Sequence, residues 1–448
     1  MRALALGFLC ITVGSLTAVA QQEPATKEEL QEVRDALTGL SESAAEYRGY
    51  VDALRKIKIT GYVQPQFRFT DLVNTPYTIG TYNGGAFPTW SKSQFQVRRG
   101  RLKVTYDNVV TQFVLQIDAT QFGGGIPGGV TVKDAYAMAL DPWTRNFGFQ
   151  MGIFDRPFGY EISYSSSMRE SPERSRLFQT LFPGERELGA KLFFAPQTGA
   201  LTFLRADVGL FNGSGPVANE FDNFKDFIGH LAVQLPLQDS PVAIDFGVSG
   251  YLGKVRSQSS TVYEMGTTSA GVTGWVPNRD KLNFGKGLDR SYVGADVQLY
   301  YDLPVLGGLI LRGEYIAGKQ AGTSSSSNSL ASIPASSLYQ RSFAGWYITY
   351  VQNVGTSDQI VVKYDVYDPN TDVKAADFVS GSSLTVADIK YSTLGLGLLH
   401  HLDENVKFVL YWEIIRNEEL TAAPSGSLAV YKEDVRDNVV TFRMQYKF

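Results

Sequence analysis

The stretch that decides the fold is residues 439–448, with the sequence VVTFRMQYKF. Apolar side chains occupy every second position from Val440 to Phe448, and polar or charged side chains fill the positions between them. Successive side chains of a β-strand point to opposite faces, so this strand has one apolar face and one charged face. The pattern predicts a strand with lipid on one side and water on the other.

The apolar face of this strand has an aromatic residue at its end. In bacterial outer-membrane barrels the last strand pairs with the first, because closure removes the strand edges whose backbone groups hydrocarbon cannot satisfy. We therefore predict a barrel-closure signal that the barrel-assembly machinery recognises. Its residues are Phe442, Met444, Tyr446 and Phe448.

The same period of two returns along the chain from Ile59 onward, in runs of roughly 9 to 12 residues, the length that a tilted strand needs to cross a bilayer. Short turns, such as Asp107-Asn108, alternate with long connections, such as residues 253–288. Seven predicted short turns and eight predicted longer connections join 16 strands. The sequence thus predicts an all-β fold, a 16-stranded antiparallel transmembrane β-barrel over residues 57–448.

The N-terminus has the features of a secretory signal peptide at residues 1–20. Arg2 precedes an apolar run that ends in the small-residue site Ala18-Val19-Ala20. The alternative is an uncleaved membrane anchor. Cys10, the one cysteine of the chain, lies inside this segment, so the mature protein is expected to contain no disulfide.

Residues 21–56 predict a periplasmic helix with a heptad pattern. Apolar residues step alternately by three and four positions, and charged residues surround them. They are Leu30, Val33, Leu37, Leu40, Ala44, Tyr47, Val51 and Leu54. Such a narrow seam favours a coiled coil between copies of the chain, and the alternative is a helix that lies on its own barrel.

Composition and histidine content exclude several functions. The formal net charge of −4 gives no support to nucleic-acid binding, which requires a basic surface. The three histidines, His230, His400 and His401, have no metal-ligand spacing with cysteines or carboxylates. We expect no metal, no cofactor and no enzyme activity, although a barrel hydrolase built on His230 is an alternative.

Basic residues with inward parity are the first candidate site. Arginines that line a pore lower the entry cost for anions and bind phosphate or carboxylate through fork-shaped donors. The predicted lumen residues are Arg99, Arg101, Lys103, Arg205, Arg312, Lys363 and Arg443. Inward acidic residues such as Asp118, Asp296 and Asp365 are also present, so a mixed lumen without ion preference is the alternative.

The second candidate site is the connection at residues 155–186, which contains five basic and five acidic side chains. Folded into the lumen, it would narrow the pore as a constriction loop; the alternative is an ordinary surface loop. The predicted constriction residues are Arg156, Glu161, Arg169, Glu173, Arg174, Arg176 and Arg186.

At this connection the chain resembles the phosphate-selective porin O and P family. The likeness lies in Gly152-Ile-Phe-Asp-Arg-Pro-Phe-Gly-Tyr-Glu161, Ser165-Ser-Ser167, Glu173-Arg-Ser175, Phe182-Pro-Gly-Glu-Arg-Glu-Leu-Gly189 and Gly209-Leu-Phe-Asn-Gly213. Arg98-Arg-Gly-Arg-Leu102 is similar to the family's arginine-rich second strand. The resemblance implies a 16-stranded porin, usually a homotrimer, with its third loop folded inward and passive diffusion without a cofactor.

We therefore expect a porin in the outer membrane of a Gram-negative-type bacterium, in contact with outer-membrane lipid. It would conduct small hydrophilic solutes, with anions such as phosphate preferred. The alternative is a secreted soluble β-sandwich that acts as an adhesin or a sugar-binding module.

Overall fold

The computed structural model describes residues 26–71, 81–119, 129–216, 219–236, 240–422 and 426–448. The chain divides into two units, one that ends at Arg55 and one that begins at Lys56. The predicted signal peptide lies outside the described residues.

The first unit contains the helix α1, Lys27–Arg55, of 29 residues. Its start is a capping box, in which Glu29 accepts a hydrogen bond from the backbone N–H of Thr26 and the Thr26 hydroxyl accepts one from Glu29. The heptad side chains are exposed in the single chain. The predicted helix is confirmed. No helix among the described residues is long and apolar enough to cross a membrane.

The second unit is built from strands. They are β1 (Ile57–Thr70), β2 (Ser93–Asp107), β3 (Thr111–Ala119), β4 (Val130–Leu140), β5 (Phe147–Asp155), β6 (Arg186–Phe194), β7 (Leu204–Phe211), β8 (Asp226–Pro236), β9 (Val242–Arg256), β10 (Thr261–Thr267), β11 (Thr273–Arg279), β12 (Gly287–Leu303), β13 (Gly307–Gly322), β14 (Leu338–Val354), β15 (Asp358–Asp368), β16 (Tyr391–His401), β17 (Val406–Asn417) and β18 (Val439–Lys447). A short helix, α2 (Arg176–Leu181), lies between β5 and β6.

Sixteen of the described strands form a closed antiparallel barrel. Neighbours in the chain pair with each other, β12 pairs with β9 across the β10–β11 hairpin, and β1 pairs with β18. The predicted barrel is confirmed. A β-sandwich would need two packed sheets, and the described strands form one continuous sheet instead.

The last strand closes the barrel in the way that its pattern requires. Phe67 of β1 lies opposite Phe442 of β18, and Gly61 and Phe448 exchange backbone hydrogen bonds of 3.1 and 3.0 Å. Phe442, Met444, Tyr446 and Phe448 are 38–55% exposed on the outer face. Lipid is the solvent that suits this surface.

One predicted connection is corrected by the structure. Residues 253–288 were expected to form a loop, but β9 and β12 extend into this range and the β10–β11 hairpin occupies its middle. The hairpin is held by a buried apolar cluster in which Val262 packs with Val255, Leu288 and Leu338. The β10–β11 residues form strands because their side chains find neighbours to pack against on the adjoining strands.

The long connections form a folded cap at one end of the barrel, here called the long-loop end. Its buried apolar cluster includes Trp275 and residues of the β15–β16 and β17–β18 connections. Arg341 and Asp388 form a fully buried ion pair at 2.9 Å, and Asp388 also accepts a hydrogen bond from the Trp275 indole at 3.1 Å. A buried carboxylate that accepts from a residue of β14 and one of β11 fixes the β15–β16 connection against these strands.

Residues 156–185, between β5 and β6, fold into the barrel and are called the inward segment below. Their apolar side chains pack on inward aromatic residues of the wall in one buried cluster. The wall makes room with glycines: a Cβ at Gly345 would lie 2.8 Å from Leu177, and one at Gly294 would lie 2.9 Å from Phe158. The inward segment therefore packs against one wall of the barrel, chiefly β8, β9 and β12–β15.

Candidate functional site inside the barrel

Apolar packing fixes the position of the inward segment. Phe178 lies with its ring centroid 5.8 Å from Phe182 and 6.1 Å from Tyr347 of β14. Phe182 in turn lies 5.8 Å from Tyr292 of β12 and 6.0 Å from Tyr251 of β9. Large aromatic contacts of this kind hold a segment in one position, because each ring loses its packing when the segment shifts.

The charged side of the inward segment meets the opposite wall at Glu173. Three guanidinium groups bind this one carboxylate: Arg98 at 2.9 Å, Arg99 at 2.6 Å and Arg443 at 3.0 Å. Burial opposes ionisation of Glu173, but these arginines outweigh it and hold the pKa of its carboxyl well below its usual range. The site therefore carries a surplus of positive charge.

Arg98 was not among the predicted lumen residues. In a regular strand it would point to the face opposite that of Arg99, which is the lipid face. The structure contains a β-bulge: Gln64 pairs with Arg99 and Pro65 pairs with Val97, so Arg98 is an extra residue in β2. A bulge re-aims a side chain, and Arg98 reaches Glu173 as a result. Pro65, which has no N–H for the ladder, was the sequence signal for this irregularity.

Arg169, a predicted constriction residue, has a buried positive charge that no ion pair among the described residues balances. Its side chain is buried, and none of its three guanidinium nitrogens has a hydrogen-bond partner among the described residues. Burial lowers the pKa of Arg169 to about 9, and repulsion from Arg174 and Arg99 acts in the same direction. Lys407 of β17 lies close by, where it donates to the backbone carbonyls of Ser167 and Arg169.

The other predicted residues of the inward segment bind the wall or the segment itself. Glu161 pairs with Lys363, and Arg174 pairs with Glu185 and donates to the carbonyl of Glu161. Arg156 donates to two carbonyls, and Arg186, the first residue of β6, pairs with Asp134 at 2.9 Å. The structure thus brings several residues of the two predicted sets into contact, whereas Arg176 contacts the rings of Tyr82 and Tyr391.

The remaining predicted lumen residues follow the wall. Arg312 of β13 binds Glu170 of the inward segment at 2.9 Å, whereas Arg101 pairs with Asp118 at 2.8 Å within the wall. Arg205 pairs with Asp207 and stays half exposed. Lys103 lines the cavity described next.

A cavity of about 780 Å³ lies beside the inward segment toward the short-turn end of the barrel. Its lining includes eight basic and five acidic side chains. The basic residues are Arg101, Lys103, Arg156, Arg174, Arg186, Lys191, Arg205 and Lys447, and the acidic residues are Asp134, Asp155, Asp207, Asp245 and Asp296. Charge of both signs is present, with a basic excess.

A buried carboxylate, that of Glu314, lies on another part of the wall. Glu314 of β13 accepts hydrogen bonds from the Tyr347 hydroxyl and from the backbone N–H of Glu161. The inward segment thus contacts arginines of β2 and β18 through Glu173, and the Glu314 carboxylate of β13 through the backbone of Glu161. Inward arginines that parity reasoning did not include are Arg68, Arg290 and Arg341, all fully buried.

The histidines offer no catalytic arrangement. His230 Nε2 lies 3.1 Å from Asp296 Oδ2, and no serine hydroxyl of the described residues hydrogen-bonds to it. The described residues also contain no group of three or more potential metal ligands.

No protein-family model matches the chain, and no curated protein matches its sequence. Among solved structures, it is similar to OprB of Pseudomonas putida, with a TM-score of 0.57, 10% identity, and coverage of 89% of this chain and 96% of that one. For the outer-membrane channel DcaP of Acinetobacter baumannii the TM-score is 0.51 and the identity 11%, with coverage of 88% of this chain and 97% of that one. For an anion-selective porin from Comamonas acidovorans the TM-score is 0.49 and the identity 12%, with coverage of 88% of this chain and 99% of that one.

The comparisons thus show a porin-like fold, that of a 16-stranded outer-membrane barrel. At identities this low they show the fold alone.

Replacing Phe178 by Ala should loosen the inward segment, because loss of a buried Phe costs about 3–5 kcal/mol. Since about 1.4 kcal/mol is a factor of ten, backbone amides of residues 176–182 should exchange hydrogen at least ~100-fold faster in the detergent-solubilised protein. Met168→Ala, at an exposed position of the same segment, is the control. Equal exchange in both variants would show that the aromatic contacts do not hold the segment.

Proposed function

We propose that the chain is an outer-membrane porin through which small hydrophilic solutes diffuse passively, with anions preferred. A closed barrel of 16 strands is wide enough to enclose an aqueous channel. The inward segment narrows this channel, and no energy source or cofactor takes part.

The observation that carries the anion preference is the surplus of basic side chains inside the barrel. Eight basic and five acidic residues line the cavity at the short-turn end, and three arginines share the single carboxylate of Glu173. In a narrow space with low-dielectric walls, such a surplus lowers the energy of an entering anion and raises that of a cation.

Phosphate is the finer version of the proposal. The guanidinium groups of Arg98, Arg99 and Arg169 offer the planar donors that bind phosphate oxygens in pairs. The sequence resemblance to the phosphate-selective porins supports the same ligand. Chloride and small carboxylates use the same donors, so phosphate should compete with them.

Two charge changes at one contact should move the ion preference in opposite directions. Arg443→Gln removes a positive charge from the Glu173 contact and should lower the chloride-to-potassium permeability ratio, whereas Glu173→Gln should raise it. The Coulomb energy at these distances, reduced by salt screening, gives a change of roughly two- to tenfold. The measurement is the reversal potential of single channels across a KCl gradient.

Arg279→Gln, at an exposed position of the β10–β11 hairpin, is the control and should leave the potential unchanged. If the wild-type channel prefers cations, or if neither lumen variant shifts the potential, the anion preference is wrong. Addition of phosphate should reduce the chloride current. A current that phosphate leaves unchanged would remove phosphate from the proposal.

We also propose that α1 lies in the periplasm and joins copies of the chain, which agrees with the homotrimer that the resemblance implies. The exposed seam supports this: Leu37, Leu40 and Leu54 are about two-thirds exposed in the single chain. Leu37→Glu with Leu40→Glu should therefore reduce the oligomers captured by chemical cross-linking. Unchanged oligomers would assign assembly to the barrel instead.

A further inference from the structure

A second cavity, of about 360 Å³, lies at the long-loop end of the barrel. It is called the vestibule cavity below. Five connections meet around it: those of β1–β2, β5–β6, β13–β14, β15–β16 and β17–β18. Its volume lies in the range of about 300–1,000 Å³ that is typical of small-molecule sites. Two residues of the inward segment, Arg176 and Thr180, are part of its lining.

Arg176 of the inward segment contacts two aromatic rings at this cavity. Its guanidinium carbon lies 3.7 Å from the centroid of the Tyr391 ring and 4.6 Å from that of Tyr82. Cation–π contacts with two rings restrict the position of the guanidinium, whose N–H groups are donors for a hydrogen-bond acceptor.

Arg176 has no ion pair with a carboxylate of the described residues. Of the basic residues of the inward segment, Arg176 is the one that lines the vestibule cavity. The other charged side chain in the lining is Asp437. Asp437 is near enough to interact electrostatically with Arg176 but forms no salt bridge with it, so the N–H groups of this guanidinium can still bind a carboxylate that arrives with a solute.

The rest of the lining is rich in hydroxyl and amide groups. Ser325, Ser326, Ser327 and Asn328 of one connection face the cavity together with Asn83, and the Tyr82 hydroxyl donates to Asn328 at 2.9 Å. These groups donate and accept hydrogen bonds without carrying charge. Tyr367 and Tyr431 add aromatic surface, against which the C–H face of a ring can pack.

We propose that the vestibule cavity binds sugar acids, that is, small polyhydroxylated molecules with one carboxylate. The carboxylate binds the edge of Arg176, the hydroxyl groups bind the serine and asparagine side chains, and the apolar face of the sugar ring packs against tyrosine. Inorganic phosphate would bind the guanidinium and the hydroxyl donors, but it has no apolar ring face that could pack against tyrosine. The site rests on the proposed channel function, since it concentrates solute at the channel entrance.

The test is calorimetric titration of the detergent-solubilised full-length protein with D-glucuronate, D-glucose and acetate. Glucuronate should bind at least ten times more tightly than glucose, which lacks the carboxylate, and than acetate, which lacks the hydroxyl groups. If acetate matches glucuronate, the cavity is a simple anion site and the sugar-acid assignment is wrong. If glucose matches glucuronate, Arg176 has no role in recognition.

Variants test the same assignment at the residue level. Arg176→Gln should weaken glucuronate binding at least tenfold, and Arg176→Lys, which keeps the charge but loses the planar fork, should weaken it by less. Lys432→Gln, exposed in the β17–β18 connection, should bind as the wild type does. Glucuronate binding that Arg176→Gln leaves intact would overturn the proposal.

Single-channel recordings in KCl separate this proposal from the channel function. Channels that conduct normally in a protein that does not bind glucuronate contradict the vestibule site alone. Glucuronate binding to a well-folded protein that forms no channels contradicts the porin function and leaves the site in place.

Discussion

The structure depends on the packing of one apolar helix-like face against the inside of the barrel. Leu177, Phe178, Leu181 and Phe182 are all buried against inward aromatic residues of the wall. An inward surface of a water-filled barrel is normally polar, so this apolar patch on the wall exists to hold the inward segment. Because the segment is held in one position, the positions of its charged residues are fixed as well.

The electrostatic arrangement follows from that constraint. Glu173 reaches the arginines of β2 and β18, and Glu161 and Glu170 reach Lys363 and Arg312. A segment with equal numbers of basic and acidic residues carries no net field when it is free. In the barrel three of its carboxylates form ion pairs with basic residues of the wall. The guanidinium of Arg169 has no hydrogen-bond partner among the described residues. Position, and not composition, decides which charges face a solute.

The barrel could be predicted from the sequence because the alternation of apolar and polar residues is local. It can be recognised within each strand, whatever the neighbouring strands are. The sequence was not sufficient for Arg98, whose direction depends on a bulge in the pairing with β1. The inward segment was interpreted from its charges, although its apolar residues at positions 177, 178, 181 and 182 have helical spacing and were the stronger signal. The cap around Trp275 and Asp388 joins connections more than 100 residues apart, so no local pattern predicts it.

The central claim is that the inward segment lies in the path of conducted ions. Ser165 is exposed in the segment and lines the cavity at the short-turn end, so Ser165→Cys, combined with Cys10→Ser, gives a single thiol at that place. Single-channel conductance should fall and stay lower after reaction with a charged methanethiosulfonate reagent. Complete modification, established by mass spectrometry, with an unchanged conductance would contradict the account.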